Sequence, residues 1–180
     1  TGAPTRARLE KHCRDAEPLR DREVIDAAGL RITVLFTPGH SGDSVSFLVE
    51  HDDGSGSAQK AMLTGDTILG SGTTVIDPSD GSLLDYMNSL NRLIVEGEGS
   101  TLLPAHGPDH PDLIPVARYY KAHREERIEQ IRAALDDMGV SAKDAKPMKV
   151  VKRVYRDVDK KVWPAARMSV KAQLEYLRKV

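Results

Sequence analysis

Three short segments each place a good metal ligand beside glycine: His40 in TPGHSGDS, Asp66 in LTGDT and His106 in PAHGP. Imidazole and carboxylate suit zinc or a similar divalent ion. Each segment follows an apolar stretch that reads as a strand, so the ligand would sit on a rigid support while the glycine lets the backbone turn sharply. A single histidine beside glycine is ordinarily a satisfied loop residue. Recurrence at three successive strand ends is what points to a metal centre. The three are 26 and 40 positions apart (66−40 and 106−66), so they must be brought to one edge of a sheet, within about 8 Å of one another, to share ions with bonds of about 2 Å.

Other chemistries fit less well. Gly39-His-Ser-Gly-Asp43 has the outline of a nucleophile elbow, but Asp43 stands where the second glycine is required. Gly70-Ser-Gly72 lacks the third glycine of a dinucleotide fingerprint, and no lysine follows a Gly-rich loop in the Walker manner. Asp43 and Ser44 are read as groups that orient the His40 loop, with turn capping as the plainer alternative. Thr73, Thr74 and Tyr86 are read as lining a pocket beside the metals or as packing residues. His123 is read as a buried, hydrogen-bonded histidine on a helix, and His110 as a surface residue.

The elements that must position these groups follow from periodicity and punctuation. Val24–Asp26 and Leu30–Phe36 read as strands joined at Ala28-Gly29, Ser44–Glu50 as another, and His51–Ser57 as a hairpin loop. Lys60–Leu63 and Thr101–Leu103 complete the strands. Ser82-Leu-Leu-Asp85 has the form of a capping box and opens a helix with Leu83, Met87, Leu90 and Ile94 on one stripe. From Pro115, the residues Val116, Tyr120, Ile128, Ile131, Leu135 and Met138 keep helical spacing until Gly139. Shorter helices are expected over Lys149–Tyr155 and Arg167–Leu177, the latter with Met168, Leu174 and Leu177 inward.

With 180 residues, 39% hydrophobic and 29% charged, the chain can bury a core and is too apolar to be disordered. Nothing approaches a membrane span or a secretory signal. The one cysteine, Cys13, excludes a disulfide framework and any zinc site of several thiolates. A soluble, cytoplasmic protein is expected. The net charge of −1 hides a division: residues 1–114 hold nine Lys or Arg against eighteen Asp or Glu, and residues 115–180 hold seventeen against nine, giving −9 and +8. The basic part could hold a polyanion.

TPGHSGDS, GDTILGSGTTVIDP, DYMNSL and AHGP, in that order and spacing, resemble the third to fifth metal motifs of the metallo-β-lactamase superfamily. YYKAHREERIEQI and the basic tail extend the likeness to the subgroup containing the mitochondrial β-lactamase-like endoribonuclease. The resemblance implies an α/β fold: the C-terminal half of an αββα sandwich over residues 1–112, with the preceding part missing, and a small basic winged-helix-like domain over 113–180. It implies two zinc ions, with His40 on the first, His106 on the second and Asp66, also the catalytic carboxylate, bridging both. The family's His-x-His-x-Asp-His cluster does not occur in these 180 residues, so the chain alone is expected to hold zinc weakly, to be inactive, and to expose apolar surface that favours a homodimer. Ala105 departs from the glycine common before the last ligand.

Three functions follow. The first is a dizinc endoribonuclease on single-stranded RNA, with Lys149, Lys152, Arg153, Arg156, Lys160 and Lys161 as the nucleic-acid face. The second is a glyoxalase II-like thioester or lactone hydrolase, and the third a non-catalytic binding module for nucleic acid or protein. The lack of an export signal weighs against β-lactams as substrates.

Overall fold

In the computed structural model of the protein, residues 2–52, 54 and 59–180 are described. The elements are β1 (Val24–Ala27), β2 (Leu30–Phe36), β3 (Val45–His51), β4 (Gln59–Gly65), α1 (Leu83–Glu96), β5 (Thr101–Pro104), α2 (Leu113–Met138), α3 (Pro147–Val154) and α4 (Trp163–Leu177). The expected strands are all present, shifted by one or two residues at their ends. Most of the hairpin loop expected at His51–Ser57 lies outside the described residues.

The five strands form one sheet in the order β1-β2-β3-β4-β5. β1 to β4 pair antiparallel, with Ile32 opposite Val49 and Leu48 opposite Met62, while β5 joins β4 in parallel after the α1 crossover. Two antiparallel pairings in succession return β4 to the direction of β2, and β5 shares it. The C-terminal ends of β2, β4 and β5 therefore lie along one edge, where His40, Asp66 and His106 follow within four residues of each strand's end. The pairing of β4 with β5 slips between Leu63 and Gly65, an irregularity that re-aims the chain as it enters Asp66.

Alternation along the strands separates two faces. Met62 and Leu102 are buried under the helices, whereas Leu63 and Leu103, paired on the other face, are partly exposed. Helix α1 starts where the capping box placed it: the Ser82 hydroxyl accepts from the Asp85 amide at 3.3 Å. Its buried stripe is Leu83, Tyr86, Met87, Leu90 and Leu93. Helix α2 begins two residues before Pro115, because the Asp112 carboxylate caps the Ile114 amide at 2.9 Å, and ends at Gly139.

Two apolar clusters result. The first joins the sheet and α1 through Leu35, Met62, Leu90 and Leu102 to Leu113, Ala117 and Tyr120 of α2. The second joins Ile131 and Leu135 of α2 to Val150 and Val151 of α3 and Val170 and Leu174 of α4. One helix thus supplies both cores. α4 starts at Trp163, four residues before the expected Arg167, and Met168 is exposed rather than inward. At 100° per residue the buried line through Ala166, Val170 and Leu174 leaves Met168 on the opposite side.

Candidate metal centre

The structure brings His40, Asp66 and His106 together, with Asp66 central. His40 Nε2 lies 3.8 Å from Asp66 Oδ2, and His106 Nε2 lies 3.4 Å from Asp66 Oδ1. Neither approach is a hydrogen bond by distance and alignment. Two ligands on one tetrahedral zinc, each about 2.0–2.1 Å from the ion, stand about 3.3 Å apart. The His106 distance is close to that separation and the His40 distance is about 0.5 Å longer. Asp66 Oδ1 is buried and lacks a hydrogen-bond partner among the described residues, although an orphaned carboxylate oxygen costs free energy unless something meets it. A divalent cation would meet it.

The His40 ring is held by the backbone. Its Nδ1 is 2.8 Å from the Val75 carbonyl, an acceptor only, so Nδ1 carries a proton and Nε2 is the ring nitrogen on the Asp66 side. Each carboxylate oxygen faces a different imidazole, the arrangement a bridging carboxylate requires. Side-chain exposures of 36% for His40, 39% for Asp66 and 74% for His106 leave the centre open to solvent. Among the described residues no group of three or more His, Cys, Asp or Glu is placed to hold a metal ion; His40, Asp66 and His106 could supply at most two ligands to each of two ions.

Two glycines allow the loops to close this tightly. Gly39 has φ +141°, and a Cβ there would lie 2.4 Å from the Tyr86 Cα. At Gly70 a Cβ would lie 1.9 Å from the Pro108 carbonyl oxygen. Any side chain at either position would drive the His40 or His106 loop off its support.

The other expected residues divide. Ser44 faces the His40 loop: its hydroxyl accepts from the Ser41 amide at 3.2 Å and pairs with the Ser41 hydroxyl at 2.9 Å. Asp43 turns away, accepting from the Leu9 amide at 2.6 Å and contacting His12 Nδ1 at 2.9 Å, so it tethers the amino-terminal segment to that loop. Thr73 is exposed, whereas Thr74 is buried and donates to the Asp66 carbonyl at 2.7 Å. Tyr86 is fully buried and donates to the Thr67 carbonyl at 2.7 Å; burial pushes its hydroxyl up to about 12, so it remains a donor. His123 is only half-buried, stacked on Tyr119, and its Nδ1 has no partner among the described residues, contrary to the hydrogen-bonded histidine expected. His110 does more than face solvent, since its Nε2 lies 2.8 Å from the Gly70 carbonyl.

Lys149, Lys152, Arg153, Arg156, Lys160 and Lys161 are all exposed. Lys149, Lys152, Arg153 and Arg156 follow helical spacing on and just beyond α3, opposite the buried Val150 and Val151. Arg153 pairs with Asp137, Arg156 pairs with Asp157, and Lys160 lies over the Trp163 ring at 5.8 Å. Among the described residues no helix is long and apolar enough to cross a membrane.

Comparison with known proteins identifies relatives of both the sheet-bearing and the helical part. Residues 147–179 match the family described as beta-lactamase associated winged helix domain. The chain is 31% identical over 162 residues to the beta-lactamase-like protein 2 homolog of Drosophila melanogaster, covering 90% of this chain and 50% of that protein. It is 34% identical over 131 residues to lactamase-like protein vrtG of Penicillium aethiopicum, covering 72% and 39%. A solved metallo-beta-lactamase family protein from Thermus thermophilus superposes with a TM-score of 0.68 at 26% identity, covering 92% of this chain and 50% of that one. The chain spans about half the length or less of these curated relatives.

Proposed function

The chain belongs to the metallo-β-lactamase superfamily, and on that premise we propose that it carries one side of the centre of a metal-dependent hydrolase, with His40, Asp66 and His106 as ligands to two zinc ions. The observation that carries this is the Asp66 carboxylate, whose two oxygens face two different imidazoles while Oδ1 stays buried without a partner. When bound, zinc supplies a water made nucleophilic near neutral pH and an electrophile for the developing charge. The chain's own residues do the rest. His40, held by the Val75 carbonyl, keeps its Nε2 on the side of Asp66, and the Asp66 carboxylate would offset the charge of bound cations. With so few ligands per ion, these 180 residues alone hold zinc weakly and turn over little substrate.

Single-stranded RNA is the leading substrate. Its support is the charge division between −9 and +8 together with the exposed stripe on and beyond α3. The thioester or lactone reading has its own observation, a cavity of about 430 Å³ lined mainly by apolar atoms of Leu69, Gly70, Pro115, Val116, Tyr119 and Tyr120, of a size and character that suit an acyl group. The zinc-loaded whole protein, assayed on an RNA oligonucleotide and on a short acyl thioester, tests both. RNA cleavage abolished by His106→Ala and by chelation is the expected result; thioester turnover alone moves the second reading to first place, and salt-dependent RNA binding without cleavage favours a binding module.

A further inference from the structure

The segment Tyr119-Tyr-Lys-Ala-His-Arg124 carries no ligand, yet two of its side chains grip the loop that runs from Asp66 to Ile76. The Tyr120 hydroxyl accepts from the Leu69 amide and donates to the Leu69 carbonyl, both at 3.1 Å. One turn further along α2, the Arg124 guanidinium donates to the Thr74 carbonyl and lies 5.2 Å from the centroid of the Tyr86 ring.

What these two grips hold is informative. Thr74 donates its hydroxyl to the Asp66 carbonyl at 2.7 Å, and its neighbour Val75 accepts from His40 Nδ1 at 2.8 Å. Gly70, next to Leu69, donates its amide to the His106 carbonyl at 2.8 Å. Tyr86, under the guanidinium, fixes the Thr67 carbonyl at 2.7 Å. Each of the three candidate ligands is thus one hydrogen bond away from backbone that α2 secures. Resting on the metal-centre reading above, we propose that Tyr120 and Arg124 are positioning residues that set the angle of all three ligands from one face of α2, Arg124 through Thr74-Val75 and Tyr120 through Leu69-Gly70. Arginine suits the position because its planar group stacks on Tyr86 while still donating, which lysine does less well. The same helix also builds the second cluster with α3 and α4.

The test uses the whole protein loaded with cobalt(II), whose visible spectrum reports ligand geometry, together with amide hydrogen exchange on the metal-free form. Arg124→Ala should lower cobalt affinity by roughly 10- to 100-fold, the usual effect of losing a group that orients a ligand, alter the cobalt spectrum, and speed exchange across residues 67–75. Tyr120→Phe should do the same more weakly, and Arg124→Lys should recover part of the loss. Leu174→Ala, in the second cluster, should lower the melting temperature without changing the spectrum. Should Arg124→Ala not fold, the milder Arg124→Lys and Tyr120→Phe carry the test. Unchanged affinity, spectrum and loop exchange in the Arg124 and Tyr120 variants would overturn the proposal. Failure of the metal-centre reading looks different: Asp66→Asn would then leave cobalt binding intact.

Discussion

The sheet-bearing part of the molecule and the helical part after Gly139 solve opposite problems with one shared helix. The first holds its chemistry on loops, and those loops are fixed by side chains reaching to backbone: Thr74 to Asp66, Tyr86 to Thr67, Tyr120 to Leu69. The second has few such bonds and relies on an apolar seam of Val150, Val151, Val170 and Leu174 beneath a charged exterior. A site that must hold carbonyls and imidazoles at defined angles needs directional bonds. A unit that presents charge needs only a firm base. Helix α2 serves both, its first half under Leu90 and Leu102 and its second half under Leu174.

If that sharing is real, the two parts do not unfold separately. Leu90→Ala and Leu174→Ala, one in each cluster and both fully buried, should each cost about 2–5 kcal/mol and should lower a single common transition in urea. Two resolved transitions, one per variant, would break the comparison.

The charge difference is next in size. Reversing Lys149, Lys152 and Lys161, clear of the Arg153–Asp137 and Arg156–Asp157 pairs, should weaken single-stranded RNA binding by the whole protein roughly 100-fold at 0.1 M salt, taking a slope of about −0.7 per phosphate contact. Turnover of a small neutral ester should not change. Equal RNA affinity for variant and parent would mean that these side chains only solvate the surface. Smaller still is the cap of α1: Ser82→Ala removes the acceptor for the Asp85 amide and should cost about 1 kcal/mol by thermal melting.

The smallest effect lies in pH. Burial first, then the positive charges of Arg124 and Arg127, hold His123 below its usual 6.5. The unfolded chain therefore takes up that proton before the folded one does. Its contribution to stability is complete above pH 6.5 and is lost as pH falls through the lowered value. His123→Gln should show a smaller fall in urea midpoint between about pH 8 and about pH 5 than the parent, and an identical fall would remove His123 as the cause.

How much of this was legible in the sequence varies with the range of the interaction. Strands, the Ser82 capping box and the stop at Gly139 are local signals, legible nearly to the residue. The convergence of His40, Asp66 and His106 follows from strand ends, because β2, β4 and β5 run the same way. Asp43 and Arg124 were not legible. Asp43 sits in the loop it was expected to orient, yet its partners Leu9 and His12 are more than thirty positions earlier. The Thr74 carbonyl held by Arg124 is 50 positions earlier and belongs to the backbone, which leaves no mark in side-chain pattern. Met168 misleads because its apolar side chain is counted with Leu174, although six residues at 100° each put the two about 120° apart around α4.

The central claim is that Asp66 faces metal on both of its oxygens. Crystals of the whole protein grown with zinc, with anomalous scattering collected on both sides of the zinc edge, test it directly. Two anomalous peaks are expected, each about 2.0–2.2 Å from one Asp66 oxygen and about 2.0–2.1 Å from a histidine Nε2, His40 for one ion and His106 for the other. Peaks elsewhere, with Asp66 hydrogen-bonded directly to His106, would contradict it.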